Sequence, residues 1–132
     1  MDVLCDTSFL MVLVSTPIIR LDQVESYIGK LNILVPSIVI DELKILQQKA
    51  GPKRSMTAKT AIEISKARFK VIEIVKSRHV DDAIIEYAIK HNCATATIDT
   101  ALRKRLIKNN ILVITISNNQ LLIANSRDNK QV

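Results

Sequence analysis

Four carboxylates stand where they can act together. Asp6 follows the apolar run Val3-Leu4-Cys5, and Asp99 follows Thr95-Ala96-Thr97-Ile98. Both lie just past a predicted strand, the edge where open α/β sheets bind ligands. Glu42 and Asp82 lie on predicted helices that follow two other strands, so they can reach the same edge. Acids packed together without a cation repel strongly. Oxygen ligands of this kind favour Mg²⁺ or Mn²⁺. Such an ion activates water and stabilises charge at a phosphoryl centre. The expected chemistry is metal-dependent phosphodiester cleavage. Each acid also has a plain structural role open to it, since an acid at a strand end often caps the next helix.

Two of the four have acidic neighbours. Residues three and four apart share a helix face. Glu42 has Ile38, Val39, Ile45 and Leu46 at those spacings, which predicts an inward carboxylate. Asp41 has Ser37 and Lys44 among its four, which predicts a solvated acid paired with Lys44. Between Asp81 and Asp82 the choice falls on Asp82, because Ile85 and Ile89 continue its side; Asp81 is then a supporting acid. Thr97 shares Asp99's side of the strand by the two-residue period, and Thr7 and Ser8 follow Asp6. All three hydroxyls are supporting candidates. No Cys or His lies at zinc spacing. His79 and His91 flank one helix and read as exposed, and Cys5 reads as core filler.

The elements that position these acids follow from periodicity. Strands are expected over 3–5, 33–35, 70–75, 94–98 and 111–116. Helices are expected over 8–14, 22–30, 37–49, from 56 onward, 80–91 and 100–108, with 53–55 a basic turn. In the fourth helix Ala58, Ala61, Ile62 and Ser65 stack toward one side. This alternation predicts a three-layer α/β/α fold with an open, mainly parallel five-stranded sheet. One domain over 1–124 is expected, with 125–132 a polar, disordered tail.

Charge supports a polyanionic partner. The net charge is +6, and from Lys44 to His79 there are ten Lys or Arg against Glu63 and Glu73 alone. A basic surface beside an acidic cluster suits a metal nuclease: the acids hold the cation while the surface attracts phosphates. Lys53, Arg54, Lys59, Arg103, Lys104 and Arg105 are candidates for guiding RNA. With two Phe, two Tyr and no Trp, base stacking is a poor source of selectivity. The apolar run 9–14 is far short of the ~20 residues a membrane span needs, and no basic leader precedes it. A cytoplasmic protein is expected.

Four stretches resemble the PIN-domain family of nucleases: 3–10 (Val-Leu-Cys-Asp-Thr-Ser-Phe-Leu), 35–43 (Val-Pro-Ser-Ile-Val-Ile-Asp-Glu-Leu), 80–85 (Val-Asp-Asp-Ala-Ile-Ile) and 96–103 (Ala-Thr-Ile-Asp-Thr-Ala-Leu-Arg). The resemblance implies a metal-dependent endoribonuclease. Its four motif acids would be Asp6, Glu42, Asp82 and Asp99, with Thr97 as the adjoining hydroxyl. Asp6, Asp82 and Asp99 would hold one or two ions, and the cut would leave a 5′-phosphate and a 3′-hydroxyl. The chain is similar to small prokaryotic members, both VapC-type toxins and relatives of ribosomal-RNA-processing endonucleases. Unlike some processing enzymes, the sequence shows no appended zinc ribbon. The resemblance implies RNA, an antitoxin or a processing protein, and a second copy of the chain as partners. Leu13, Val14, Ile18 and Ile19 can supply a dimer surface or belong to the core. A rival reading is an RNA-binding or scaffold module with little catalysis. A phosphoryl-accepting response-regulator-like domain ranks last, because Ile116-Ser117-Asn118-Asn119 lacks the lysine that family places after its last strand.

Overall fold

Val3, Leu4 and Cys5 are all fully buried. A strand apolar on both faces belongs inside a parallel sheet covered by helices. The computed structural model, which describes residues 1–16, 29–75, 79–118 and 120–124, has that arrangement. β1 (Asp2–Cys5) pairs in parallel with β2 (Asn32–Pro36) on one side and β4 (Ala94–Ala96) on the other. Val3 faces Ile33 in one neighbour and Ala94 in the other. With β3 (Lys70–Ile72), β5 (Val113–Ser117) and β6 (Gln120–Ala124), the sheet order is β3-β2-β1-β4-β5-β6.

The open, mainly parallel sheet is as the sequence predicts, with one strand more than the five expected. The addition is β6, antiparallel to β5, with Ile114 opposite Ile123. Asn118 turns the chain there in the left-handed region, at φ 51°, a conformation asparagine tolerates better than most residues. Short apolar segments such as Leu121-Leu122-Ile123 become strands only when an edge is available.

Five helices are described: α1 (Thr7–Ser15), α2 (Ser37–Lys49), α3 (Pro52–Arg68), α4 (Val80–His91) and α5 (Thr100–Lys108). The last two match the predicted ranges. α3 begins earlier than expected. The expected basic turn over 53–55 is helical instead, because Gly51 is the N-cap of α3 and Pro52 its first residue. Proline suits that position because its missing N–H is not needed there. Lys53 to Ser55 are therefore helical, and Ser55 Oγ donates to the Gln47 carbonyl of α2. Ala58, Ala61, Ile62 and Ser65 form the buried face of α3, as the spacing predicts. The helix expected over 22–30 falls mostly outside the described residues, as do Ile18, Ile19 and the tail 125–132.

α1, α2 and α3 pack together as one group, and α4 packs with α5. From β1 the chain steps to β2 and β3 on one side, and later from β4 to β5 on the other. Right-handed crossovers in opposite directions put the two helix groups on opposite faces. Phe9 and Leu10 of α1, Leu43 of α2, Ile84 of α4 and Leu102 and Leu106 of α5 are the large side chains buried between these layers. Among the described residues no helix is long and apolar enough to cross a membrane.

Candidate active site

β1 and β4 lie side by side, but the connections following them leave in opposite directions. That reversal opens a crevice at their carboxyl ends. Asp6 enters it from β1, its N–H bonded to the Ala96 carbonyl at 3.1 Å. Thr97 enters from β4 and donates its hydroxyl to Asp6 Oδ2 at 2.5 Å. The same hydroxyl oxygen accepts the Asp99 N–H at 3.0 Å. Thr97 is thus the joint between the two strand-end acids. Ser8 Oγ bridges both oxygens of Asp6, at 2.9 and 3.0 Å.

The capping role and the site role coincide. Asp6 Oδ1 accepts the Phe9 N–H at 2.8 Å and caps α1, while Asp99 Oδ1 accepts the Leu102 N–H at 2.9 Å and caps α5. Each cap fixes its carboxylate at a helix start, where N–H groups favour negative charge. Asp6 is only 6% exposed. Burial pushes its pKa above the ordinary carboxylate value and the Asp81 charge adds to this, while Thr97, Phe9 and Ser8 pull it back.

Glu42 stands at the edge of the buried stripe of α2 rather than within it. Ile38 and Val39 are buried, but Ile45 is 53% exposed. The carboxylate is half-buried and accepts the Thr7 hydroxyl at 2.5 Å. Asp41 is exposed. Thr7 follows Asp6 directly, so this bond ties α2 to the same edge.

Asp81 and Asp82 both occupy the first turn of α4 but have different neighbours. Asp82 Oδ1 is bonded to Arg105 Nη2 of α5 at 2.7 Å. Asp81 instead lies within electrostatic reach of Asp6 and Asp99. Burial raises its pKa first and the Asp99 charge next, with Arg105 opposing. The physical reason lies in the helix faces. Ile84, Ile85 and Ala88 follow Asp81 by three, four and seven residues and are all buried. Asp82 is followed by buried Ile85, but Glu86 is exposed and Ile89 is 51% exposed.

The donor set suits a hard divalent cation: carboxylates near enough for the Asp81 charge to act on Asp6 and the Asp99 charge on Asp81, with no thiol or imidazole among them. As placed, the acids are held by the protein's own donors, and among the described residues no three His, Cys, Asp or Glu stand close enough together to hold a metal ion. Of the candidate RNA contacts, Lys53, Arg54, Lys59, Lys104 and Arg105 are exposed and Arg103 is half-buried. Cys5 and Cys93 are free and buried. Leu13 and Val14 are partly buried against the core.

Thr97 makes the central joint testable. Thr97→Val keeps the shape but removes a donor from buried Asp6 and an acceptor from the Asp99 N–H. We expect a stability loss of about 1–3 kcal/mol by denaturant unfolding. Any activity of the site should drop roughly 10- to 100-fold, the scale for residues that orient ligands.

A model of the PIN-like domain matches residues 3–119. A search of curated protein sequences finds no match. Similar solved structures include the PIN domain endonuclease Utp24, with TM-score 0.75 and 22% identity over 92% of this chain and 90% of that one. Another is a domain of a functionally unknown protein from Methanocaldococcus jannaschii DSM 2661, with TM-score 0.60 and 17% identity over 88% of this chain and 91% of that one. A chain of VapBC2 from Rickettsia felis, solved bound to a DNA fragment from their promoter, gives TM-score 0.64 and 16% identity over 89% of this chain and 100% of that one. With the sheet order, the strand-end acids and a family match over nearly the whole described length, the chain belongs to the PIN-like domain family.

Proposed function

We propose that this chain is a divalent-metal-dependent endoribonuclease. The observation that carries the reading is the Thr97 hydroxyl, which joins the two strand-end acids Asp6 and Asp99 in a PIN-like domain, with Asp81 in electrostatic reach of both. Asp6, Asp81 and Asp99 would hold Mg²⁺ or Mn²⁺. Asp81 would then serve in place of Asp82, a reading supported by the bond that Arg105 makes to Asp82 Oδ1. When bound, the ion supplies a water of lowered pKa and counter-charge for the phosphoryl oxygens.

The chain's own residues do the rest. Thr97 and Ser8 lock the Asp6 carboxylate, so its orientation is prepared before substrate arrives. Thr7 engages Oε1 of Glu42. Glu42 can then orient the attacking water with its other oxygen and accept a proton from it. The exposed cations of α3 and α5 attract the phosphate backbone. RNA rather than DNA rests on the family resemblance, and selectivity would come from RNA shape. A partner of antitoxin or RNA-processing type belongs to the same reading, supported by the likeness to a VapBC2 chain. So do self-association through α1 and a reducing, cytoplasmic setting, the latter supported by the two free cysteines.

The test is cleavage of structured RNA, and of a matching DNA, with Mn²⁺. Wild type should cut RNA, and EDTA should abolish it. Asp99→Asn should cut at least about 100-fold more slowly. Equal cutting by both proteins would point to a contaminating nuclease. Binding without cutting, over a range of metals and RNAs, would favour a scaffold.

A further inference from the structure

Beside the acids lies a cavity of about 510 Å³, lined by Glu42, His79, Val80, Asp81, Asp82 and Arg105. It is within the size range of small-ligand sites. Three of its six lining residues are acids, and Arg105 is its one permanently charged cation. A phosphodiester entering here meets repulsion from every carboxylate that a bound ion does not neutralise. Arg105 is the lining group suited to offset this, because a guanidinium grips phosphate through paired N–H donors.

The geometry points to a positioning role for Asp82: it holds Arg105 in the lining of this cavity as the substrate-phosphate contact. The inference rests on the nuclease reading of the same site. Its independent support is the 2.7 Å ion pair between α4 and α5, which engages a single guanidinium nitrogen, Nη2. Arginine carries five N–H donors, so a contact through one nitrogen leaves donor capacity for phosphate. The side chains are 51% and 27% exposed, and ion pairs that open to solvent add little stability. Orientation is what this pair supplies. An arginine ordered before substrate arrives loses less side-chain freedom on binding. Asp82 is also the residue next to Asp81 in the first turn of α4, so one turn of helix both presents an acid to the crevice and anchors the cation beside it.

The experiment compares wild type, Asp82→Asn, Asp82→Glu, Arg105→Gln, Arg105→Lys and the Asp82→Asn/Arg105→Gln double variant. RNA affinity is measured with Ca²⁺ in place of Mn²⁺ over a salt series, Mn²⁺ affinity on RNA-free protein, and folding by thermal melts. Arg105→Gln should weaken RNA binding about tenfold and lower the salt slope by about one. Asp82→Asn should weaken it about three- to fivefold, and the double variant should match Arg105→Gln alone, since the two act as one unit. Asp82→Glu should restore most of the affinity and Arg105→Lys only part of it. Mn²⁺ affinity should stay within about twofold in both Asp82→Asn and Arg105→Gln. Tighter or unchanged RNA binding by Asp82→Asn would overturn the proposal, as would additive losses in the double variant. A tenfold loss of Mn²⁺ affinity in Asp82→Asn would make Asp82 an ion ligand instead. Wild type that binds RNA without cutting sinks the nuclease reading but leaves these affinity ratios decisive for Arg105. Wild type that binds no RNA overturns both.

Discussion

Asp6→Asn is expected to lower RNA cleavage at least about 1000-fold, the scale on which loss of a preorganised charge at a reacting centre is felt. In the same protein without metal, the melting temperature should rise. Asp6 is a nearly buried carboxylate facing the Asp81 charge, and burial raises its pKa. Its proton is therefore held more tightly in the folded chain than in the unfolded one. The stabilisation this gives is complete below the ordinary carboxylate pKa and fades as pH rises through the raised one. Above the raised pKa the metal-free wild type has lost it, and a neutral amide avoids that loss. Asparagine keeps Oδ1 for the Phe9 N–H and offers its NH₂ to the Thr97 oxygen. The gain should be about 1 kcal/mol, or roughly 3 °C for a domain of this size. Saturating Mn²⁺ should reverse the order, because wild type alone gains fully from the ion. Metal-free melts of the two proteins at pH 5 and pH 7, repeated with Mn²⁺, provide the check. A variant that is less stable at every pH would mean that Asp6 serves mainly as a helix cap.

Phe9→Ala should cost about 3–5 kcal/mol of folding stability, measured by denaturant unfolding. Phe9 has no exposed surface and is the largest fully buried side chain among the described residues. Domains of this kind are stable by about 5–15 kcal/mol in total, so the variant should be largely unfolded at modest denaturant. The site should suffer with the fold, because the Phe9 N–H is the donor that fixes Asp6 Oδ1. Phe9→Leu fills more of the space and should recover most of the loss. If Phe9→Ala stayed within about 1 kcal/mol of wild type, α1 would not be anchored by this side chain, and the placement of Asp6 would need another cause.

Much of this architecture is legible without coordinates. Val80 to His91 and Thr100 to Lys108 read as helices because their apolar residues recur at helical spacing, and both match. Asp6 and Asp99 are legible for a related reason: each closes a short apolar run, and a residue at a strand's carboxyl end can only lie at the sheet's binding edge. The β6 strand is less legible because a segment of five residues carries little periodicity. The start of α3 is illegible locally because Gly51-Pro52 both follows one helix and opens the next.

The four carboxylates met first were named by their place along the chain. Local sequence determined that Asp6 and Asp99 end strands, that Glu42 rather than Asp41 borders the apolar face of α2, and that an acid would open α4. Only the tertiary structure decided which acid of α4 faces Asp6 and Asp99. That choice depends on Arg105, which lies 23 positions further along the chain and reaches Asp82 because α5 packs against α4. The order of strands was likewise a tertiary decision. β1 can join Asp6 to Thr97 only because β4 is laid beside it, across a separation of 91 residues. Periodicity describes what one element presents, while pairing across such distances is settled by which surfaces the packed core brings together.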